Sequence, residues 1–184
     1  VCDAGFYDPF ISELVRAVQS YLPEGQSLSL LDAGCGEGSH LYGLSRLLPK
    51  ENKAFFVGVD ISKESIQLAA AMESDILWCV ADLARLPFHN ESFFMILNIL
   101  SPANYEEFTR LLKQDGLVIK VIPGADYLRE IRDAVYGGTE KNEYSSEGIQ
   151  EHFAQRLEVL EVRSVLYTFL ASDPGSSLQG KAPR

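Results

Sequence analysis

The feature that most constrains this chain is the segment Leu31-Asp32-Ala33-Gly34-Cys35-Gly36-Glu37-Gly38, in which an acid precedes three alternating glycines. The mostly apolar residues 27–31 before it predict a buried strand, and the glycines predict a tight turn into a helix. Because glycine has no Cβ, a ligand can approach the backbone of such a turn closely. The segment therefore predicts a strand, turn and helix around a ligand, with an ordinary tight turn as the alternative.

The same order of elements recurs along the chain. Helices are predicted at residues 10–22, 40–48, 63–72 and 105–112, strands at 55–59, 76–80, 93–100 and 117–122, and a turn at 114–116. Five alternations of strand and helix imply a mostly parallel sheet with helices on its faces. The predicted class is therefore a Rossmann-like, doubly wound α/β fold.

The last part of the chain predicts a different ending. Helices are expected at 127–136 and 147–155, with a polar segment between them that would suit a mobile lid. Strands at 157–162 and 164–170 follow with almost no linker, so we expect them to form an antiparallel hairpin that completes a seven-stranded sheet. We place one domain at residues 1–171 and a flexible tail at 172–184.

Acidic residues end three successive predicted strands. Asp32 ends the first, Asp60 the second, and Asp82 follows the third. Ligands of open parallel sheets bind at the carboxyl ends of the strands, so these acids are expected to share a site. Taken singly, Asp60 could instead cap the helix that begins near Ser62, and Asp82 could be a hydrated loop acid.

The spacing of the glycines favours S-adenosylmethionine over a dinucleotide as the cofactor. A dinucleotide site prefers G-x-G-x-x-G, whereas this chain has an acid followed by G-x-G-x-G. Asp32 would accept a bond from the methionine amine, Asp60 from the ribose hydroxyls, and Asp82 from the adenine amino group. The full set of candidate cofactor residues adds Gly34, Cys35, Gly36, Gly38, Ile61, Ala81 and Leu83. This prediction corresponds to the class I methyltransferase version of the fold.

The fourth strand ends in Asn98, Ser101 and Pro102, where a fold of this kind usually meets its substrate. Asn98 and Ser101 could bind a planar amide-like edge, and we take all three as candidate catalytic residues. A polar strand end with a helix cap at Ser101 is the alternative. No arrangement of Cys, His and Asp indicates covalent catalysis, and methyl transfer from a sulfonium depends mainly on positioning.

Charge and composition limit the partners. The formal net charge of −10 opposes a large nonspecific contact with phosphates. No apolar run is long enough to span a membrane, so a cytoplasmic protein is expected. Three scattered cysteines predict neither disulfides nor a metal site. A small-molecule methyltransferase and a non-catalytic module with the same fold are rival interpretations, and a homodimer is an open alternative to a monomer.

Across residues 2–169 the chain resembles the bacterial large-subunit (23S) ribosomal RNA guanine-N1-methyltransferases. The segment Asp3-Ala4-Gly5-Phe6-Tyr7-Asp8-Pro9-Phe10 is similar to that family's D-A-G-x-Y-x-P-[LF] motif. The glycine segment follows in register, as do Gly58-Val59-Asp60-Ile61-Ser62-Lys63, Leu86-Pro87-Phe88, Ser101-Pro102-Ala103 and Pro123-Gly124-Ala125-Asp126-Tyr127-Leu128.

The resemblance implies methylation of a guanine N1 in ribosomal RNA with S-adenosylmethionine. It places Tyr7 over the methionine end of the cofactor, and Asn98, Ser101 and Pro102 around the guanine, with no general base among the matched motifs. Family members carry an N-terminal zinc-binding module for RNA recognition that is not in this sequence. We therefore expect a piece of a longer protein that binds ribosomal RNA weakly by itself.

Overall fold

The structure is a computed structural model that describes residues 8–49, 53–124, 127 and 147–165. The helices are α1 (Asp8–Tyr21), α2 (Ser39–Leu47), α3 (Lys63–Ala70), α4 (Tyr105–Leu111) and α5 (Glu147–Ala154). The strands are β1 (Leu28–Ala33), β2 (Ala54–Asp60), β3 (Leu77–Val80), β4 (Phe93–Ile99) and β5 (Leu112–Val121). This order confirms the predicted alternation of strands and helices.

The described strands form one parallel sheet in the order β3-β2-β1-β4-β5. The chain runs outward from β1 through β3, and then crosses to build β4 and β5 on the other side of β1. The order therefore reverses between β1 and β4, which is where open α/β sheets form a crevice at the carboxyl ends of their strands.

Both faces of the sheet are buried, as parallel sheets require. Every residue of β1 and β4 is buried, and successive side chains enter opposite layers. Leu28 and Leu30 pack with α1 and α2, whereas Leu31 and Ala33 pack with α4. These two apolar layers hold the strand ends in place.

The predicted turn at 114–116 is an interruption inside β5 and not a separate turn before it. The partner of Phe93 is Leu112, but the partner of Met95 is already Leu117, so residues 113–116 bulge from the ladder. Asp115 has a φ of 60°, and a Cβ on Gly116 would lie 2.8 Å from the Lys113 carbonyl oxygen. The sequence predicts the turn residues correctly. It does not predict that the chain pairs with β4 both before and after them, which makes the turn a bulge within one strand.

The predicted ending is not found within the described part of the chain. Residues 158–165 follow α5 without pairing to another described strand, so the strand predicted at 157–162 is not shown and stays a prediction. Most of its expected partner, 164–170, lies outside the described residues, as do the predicted helix at 127–136 apart from Tyr127, the tail at 172–184, and Tyr7. The sheet described here has five strands rather than seven, and the antiparallel hairpin is not shown.

None of the helices given above is long and apolar enough to cross a bilayer, a finding that covers the described ranges alone.

Candidate functional site

The glycine turn after β1 brings three strand ends together. Gly34 and Gly38 have φ angles of 85° and 82°, in the left-handed region that favours glycine. A Cβ on Gly34 would lie 2.0 Å from Ser101 Oγ, beyond β4, and a Cβ on Gly38 would lie 2.4 Å from the Trp78 ring on β3. Gly36, with a φ of 56°, faces open space. The turn is thus packed on two sides and open on the third.

Asp60 connects the end of β2 to this turn. Its Oδ2 accepts a hydrogen bond from the Gly36 N–H at 2.8 Å, and its Oδ1 accepts one from the Ser62 N–H at 2.9 Å. The cap of α3 is Ser62, whose Oγ accepts from the Ser65 N–H, so Asp60 is not that cap. A carboxylate oxygen can accept more than one bond, so Asp60 can still accept bonds from a ligand's hydroxyl groups.

Asp32 is the most unusual group of the site. It is 1% exposed, and its Oδ1 has no hydrogen-bond partner among the described residues. Burial, together with the negative charge of Asp60, raises the pKa of Asp32 to about 7. A buried carboxyl without a partner is costly, and a cationic ligand would relieve that cost. An ammonium such as that of S-adenosylmethionine fits this position.

The loop after β3 reaches the same turn. Ala81 N–H donates to the Asp60 carbonyl oxygen at 3.0 Å, and a Leu83 methyl lies 3.8 Å from the position of a Cβ on Gly34. Asp82 is exposed, and its Oδ1 accepts from the Ala84 N–H at 2.9 Å. The side chain of Asp82 therefore shapes its own loop, and its contact with adenine stays a prediction.

Two other predicted cofactor residues have contrasting environments. Ile61 is 70% exposed beside Asp60, which leaves an apolar surface next to the proposed ribose position. Cys35 is buried, and burial with the charges of Asp32 and Asp60 raises the pKa of its thiol. Cys35 is therefore a neutral packing group rather than a nucleophile.

The loop from 83 to 90 is held by α4, through residues that the sequence analysis did not single out. Asn104, the cap of α4, donates to the Leu83 carbonyl oxygen at 3.2 Å. Glu107 accepts from the Leu86 N–H at 2.7 Å, and Arg110 donates to the Phe88 carbonyl oxygen at 2.8 Å. The hydrogen bond from Arg110 lowers the pKa of Glu107, so this ion pair stays charged at neutral pH.

Asn98 is fully buried, and its side chain is used inside the protein. Its Nδ2 donates to the Ala33 carbonyl oxygen at 2.7 Å and to the Pro102 carbonyl oxygen at 3.0 Å, while its Oδ1 accepts from Lys120 Nζ. Both amide hydrogens are therefore engaged. Asn98 ties β1 to the loop after β4, so in this structure it positions the loop rather than facing a substrate.

Ser101 and Pro102 do face open space. Two adjoining cavities, of about 460 and about 330 Å³, share three lining residues, Ser101, Pro102 and Lys120. Leu100, just before them, has a φ of 50°, a strained value for a branched side chain. Ser101 Oγ lies over Gly34, so this loop connects the cavities to the glycine turn.

Lys120 is the residue of this region that the sequence analysis missed. Its Nζ donates to Asn98 Oδ1 and to the Ser101 carbonyl oxygen. Burial lowers the pKa of Lys120. A signal was present, since Lys120 is the single charged residue of the apolar strand segment Leu117-Val118-Ile119-Lys120-Val121. Within the described ranges no group of His, Cys, Asp and Glu could hold a metal ion.

Comparison with known proteins agrees with this geometry. Residues 30–116 match the family model of a methyltransferase domain. The chain folds as a methyltransferase domain. It superimposes on the plantazolicin methyltransferase BpumL in complex with S-adenosylhomocysteine with a TM-score of 0.61, over 92% of this chain and 72% of that one; at 19% identity this shows the fold alone.

Two curated relatives are about twice as long as the segment that this chain matches. The chain is 40% identical to the "Putative 23S rRNA (guanine-N(1)-)-methyltransferase YxjB" of Bacillus subtilis (strain 168), over 82% of this chain and 54% of the relative. It is 31% identical to the 23S rRNA (guanine(748)-N(1))-methyltransferase of Streptomyces fradiae, over 72% of this chain and 47% of the relative. The chain thus spans about half the length of these relatives.

The predicted cofactor, S-adenosylmethionine, is confirmed by the match of residues 30–116 to a methyltransferase domain. Asp32, whose Oδ1 has no partner among the described residues, fits the positive charge of this cofactor, and the side-chain-free turn fits its close approach. The individual contacts of the predicted cofactor residues stay predictions.

Proposed function

We propose that this methyltransferase domain transfers a methyl group from S-adenosylmethionine to N1 of a guanine in 23S ribosomal RNA. The observation that carries the proposal is the alignment with two relatives named for that reaction, at 40% and 31% identity. Because the chain spans about half of each relative, RNA recognition by the whole protein and its cytoplasmic location belong to the same proposal.

In this proposal, each residue at the strand ends binds a different part of the cofactor. S-adenosylmethionine supplies an activated methyl group on a sulfonium. Asp32 accepts a hydrogen bond from the ammonium, and Asp60 accepts bonds from the ribose hydroxyls while still holding Gly36. Ile61 covers the adenine from its apolar side. The 81–83 loop borders the adenine edge. This arrangement directs the methyl end toward Ser101 and Pro102.

The loop after β4 holds the acceptor. Ser101 and Pro102 line both cavities and lie beside the glycine turn, so a base bound there is close to the methyl end of the cofactor. Asn98 keeps that loop at a fixed distance from β1 through its two donated hydrogen bonds. Correct placement of the nucleophile is the main contribution that methyl transfer requires from a protein.

The proposal is tested by single-turnover methylation with the 184-residue chain at high concentration. Fragments of 23S ribosomal RNA are incubated with labelled S-adenosylmethionine, and the product nucleosides are identified by mass spectrometry. We expect slow formation of 1-methylguanosine, because the net charge of −10 weakens RNA binding. The Bacillus subtilis relative on the same fragments serves as the comparison, and Asp60→Ala serves as the binding-defective variant.

Other products would contradict the proposal in distinct ways. A methylated nucleoside other than guanosine would refute the guanine assignment. Methyl transfer to a small-molecule acceptor and not to RNA would favour the rival enzyme class, which the negative charge suits. Cofactor binding with no transfer to any acceptor would indicate a non-catalytic module.

A further inference from the structure

Lys120 lines both cavities, where the proposed acceptor binds. A tetrahedral ammonium has three hydrogens, and two of them bond to Asn98 Oδ1 and to the Ser101 carbonyl oxygen. The third has no acceptor among the described residues. It is therefore available to a ligand in the adjoining space.

Among the described residues, no neighbour neutralises the charge of Lys120. Its two acceptors are a side-chain amide and a backbone carbonyl, and within the described ranges no carboxylate forms an ion pair with it. Burial lowers the pKa of Lys120, which means that the ammonium has lost hydration. A ligand that develops negative charge beside Nζ would replace that hydration.

We infer that Lys120 donates a hydrogen bond to the carbonyl oxygen next to the methyl-accepting ring nitrogen, and stabilises the anion formed when that nitrogen loses its proton. This inference rests on the proposed function. In the reaction the N1–H proton passes to water and its electrons remain on the ring, shared between N1 and O6. The N1 pair then forms the N–CH₃ bond while sulfur keeps the pair of the broken C–S bond.

In this inference, Lys120 contacts both the loop after β4 and the substrate. The same Nζ that would bind O6 holds the Ser101 carbonyl oxygen, and Ser101 lies against Gly34. A base with an amino group at that ring position would present a donor to a donor. Lys120 therefore favours a ring with a carbonyl, such as guanine, over one with an amino group, such as adenine.

The test compares Lys120→Met with Lys113→Met, a lysine on the same strand that donates to Ser29 Oγ at 3.0 Å, at the opposite end of β5. The 184-residue chain is assayed under single-turnover conditions with RNA hairpins that carry guanosine or 6-thioguanosine at the target. Folding of each variant is confirmed by binding of S-adenosylhomocysteine. We expect Lys120→Met to slow methylation of guanosine about 100-fold and Lys113→Met to leave it within about twofold.

The 6-thioguanosine substrate distinguishes a direct contact between Lys120 and O6 from a purely structural role of Lys120. Sulfur accepts hydrogen bonds weakly, so the guanosine to 6-thioguanosine rate ratio should fall about tenfold or more from wild type to Lys120→Met. Lys120→Arg keeps the positive charge and the hydrogen-bond donors, so it should keep much of the wild-type rate ratio. If Lys120→Met does not fold, Lys120→Arg is compared with wild type instead. An unchanged ratio, or a Met variant as fast as wild type, would overturn the inference. If wild type itself forms no 1-methylguanosine, the proposed function fails, and this inference falls with it.

Discussion

At the scale of single residues, Asp32 shows how a binding site can cost stability. Its carboxyl is buried, and Oδ1 has no partner within the part of the chain that the structure describes. The pKa of Asp32 rises from 3.8 to about 7, because of burial first and the charge of Asp60 second. A raised pKa in the folded state means that ionisation opposes folding. The penalty is absent below pH 3.8, grows as the pH rises, and is complete above about pH 7.

We predict that Asp32→Asn stabilises the ligand-free chain and abolishes cofactor binding. The amide has the same shape without the charge, so the gain should reach on the order of 2–4 kcal/mol above pH 7 and shrink as the pH falls toward 4. Urea denaturation at several pH values measures the gain, and calorimetry with S-adenosylhomocysteine measures the loss of binding. Asp82→Asn, at an exposed acid, is the matched control and should change stability little. A gain that is equal at pH 4 and pH 8 would contradict this account.

At the scale of elements, local patterns predicted most of the fold. The strand β2 was expected at 55–59 and spans Ala54–Asp60, because apolar residues and turn residues act within a few positions of the chain. The three acids at the strand ends were predicted for the same reason. The bulge in β5 and the buried role of Asn98 were not, because they depend on which strand lies alongside. Lys120 was missed because its sequence signal, a single charge in an apolar strand, does not show that its Nζ meets the loop after β4.

The contact between the loops after β1 and β4 gives an element-scale prediction. Gly34→Ala should weaken binding of S-adenosylhomocysteine about tenfold or more, since the new methyl would meet Ser101 and push the two loops apart. Gly25→Ala is the matched control, because Gly25 has a similar φ of 76° but no atom of a described residue within 4 Å of the Cβ position. Both variants should lose about 1–2 kcal/mol of stability through backbone strain, and the Gly34 variant more. Adding Ser101→Gly to Gly34→Ala should restore part of the binding of S-adenosylhomocysteine. Equal affinity of the Gly25 and Gly34 variants for this ligand would refute the contact between Gly34 and Ser101.

At the scale of the whole molecule, the excess of acidic residues opposes binding of the proposed RNA substrate. The formal charge of −10 repels phosphates, so the 184-residue chain offers little general attraction for nucleic acid. In the proposed function, we therefore expect this chain by itself to bind RNA weakly; it matches only about half the length of each curated relative.

We predict that the 184-residue chain binds a ribosomal RNA hairpin with a Kd of about 10⁻⁴ M or weaker at physiological salt. Fluorescence anisotropy with a labelled hairpin at 50 and about 200 mM salt measures this, with the longer Bacillus subtilis relative as the comparison. The relative should bind more tightly and lose more affinity at high salt. Calorimetry with S-adenosylhomocysteine shows that the chain is folded in the same buffers. Submicromolar binding by the chain alone would show that its acidic surface is no barrier to RNA.

Trp78 gives these experiments an internal optical signal. It is the single tryptophan of the chain, and its ring would collide with side chains at both Gly38 and Gly58, so the indole packs against the end of the glycine turn. Its Nε1 is buried without a described hydrogen-bond partner, which makes the indole's emission sensitive to small changes in polarity around it. Filling the turn with a nucleoside should alter that emission, so occupancy can be followed by unlabelled fluorescence titration.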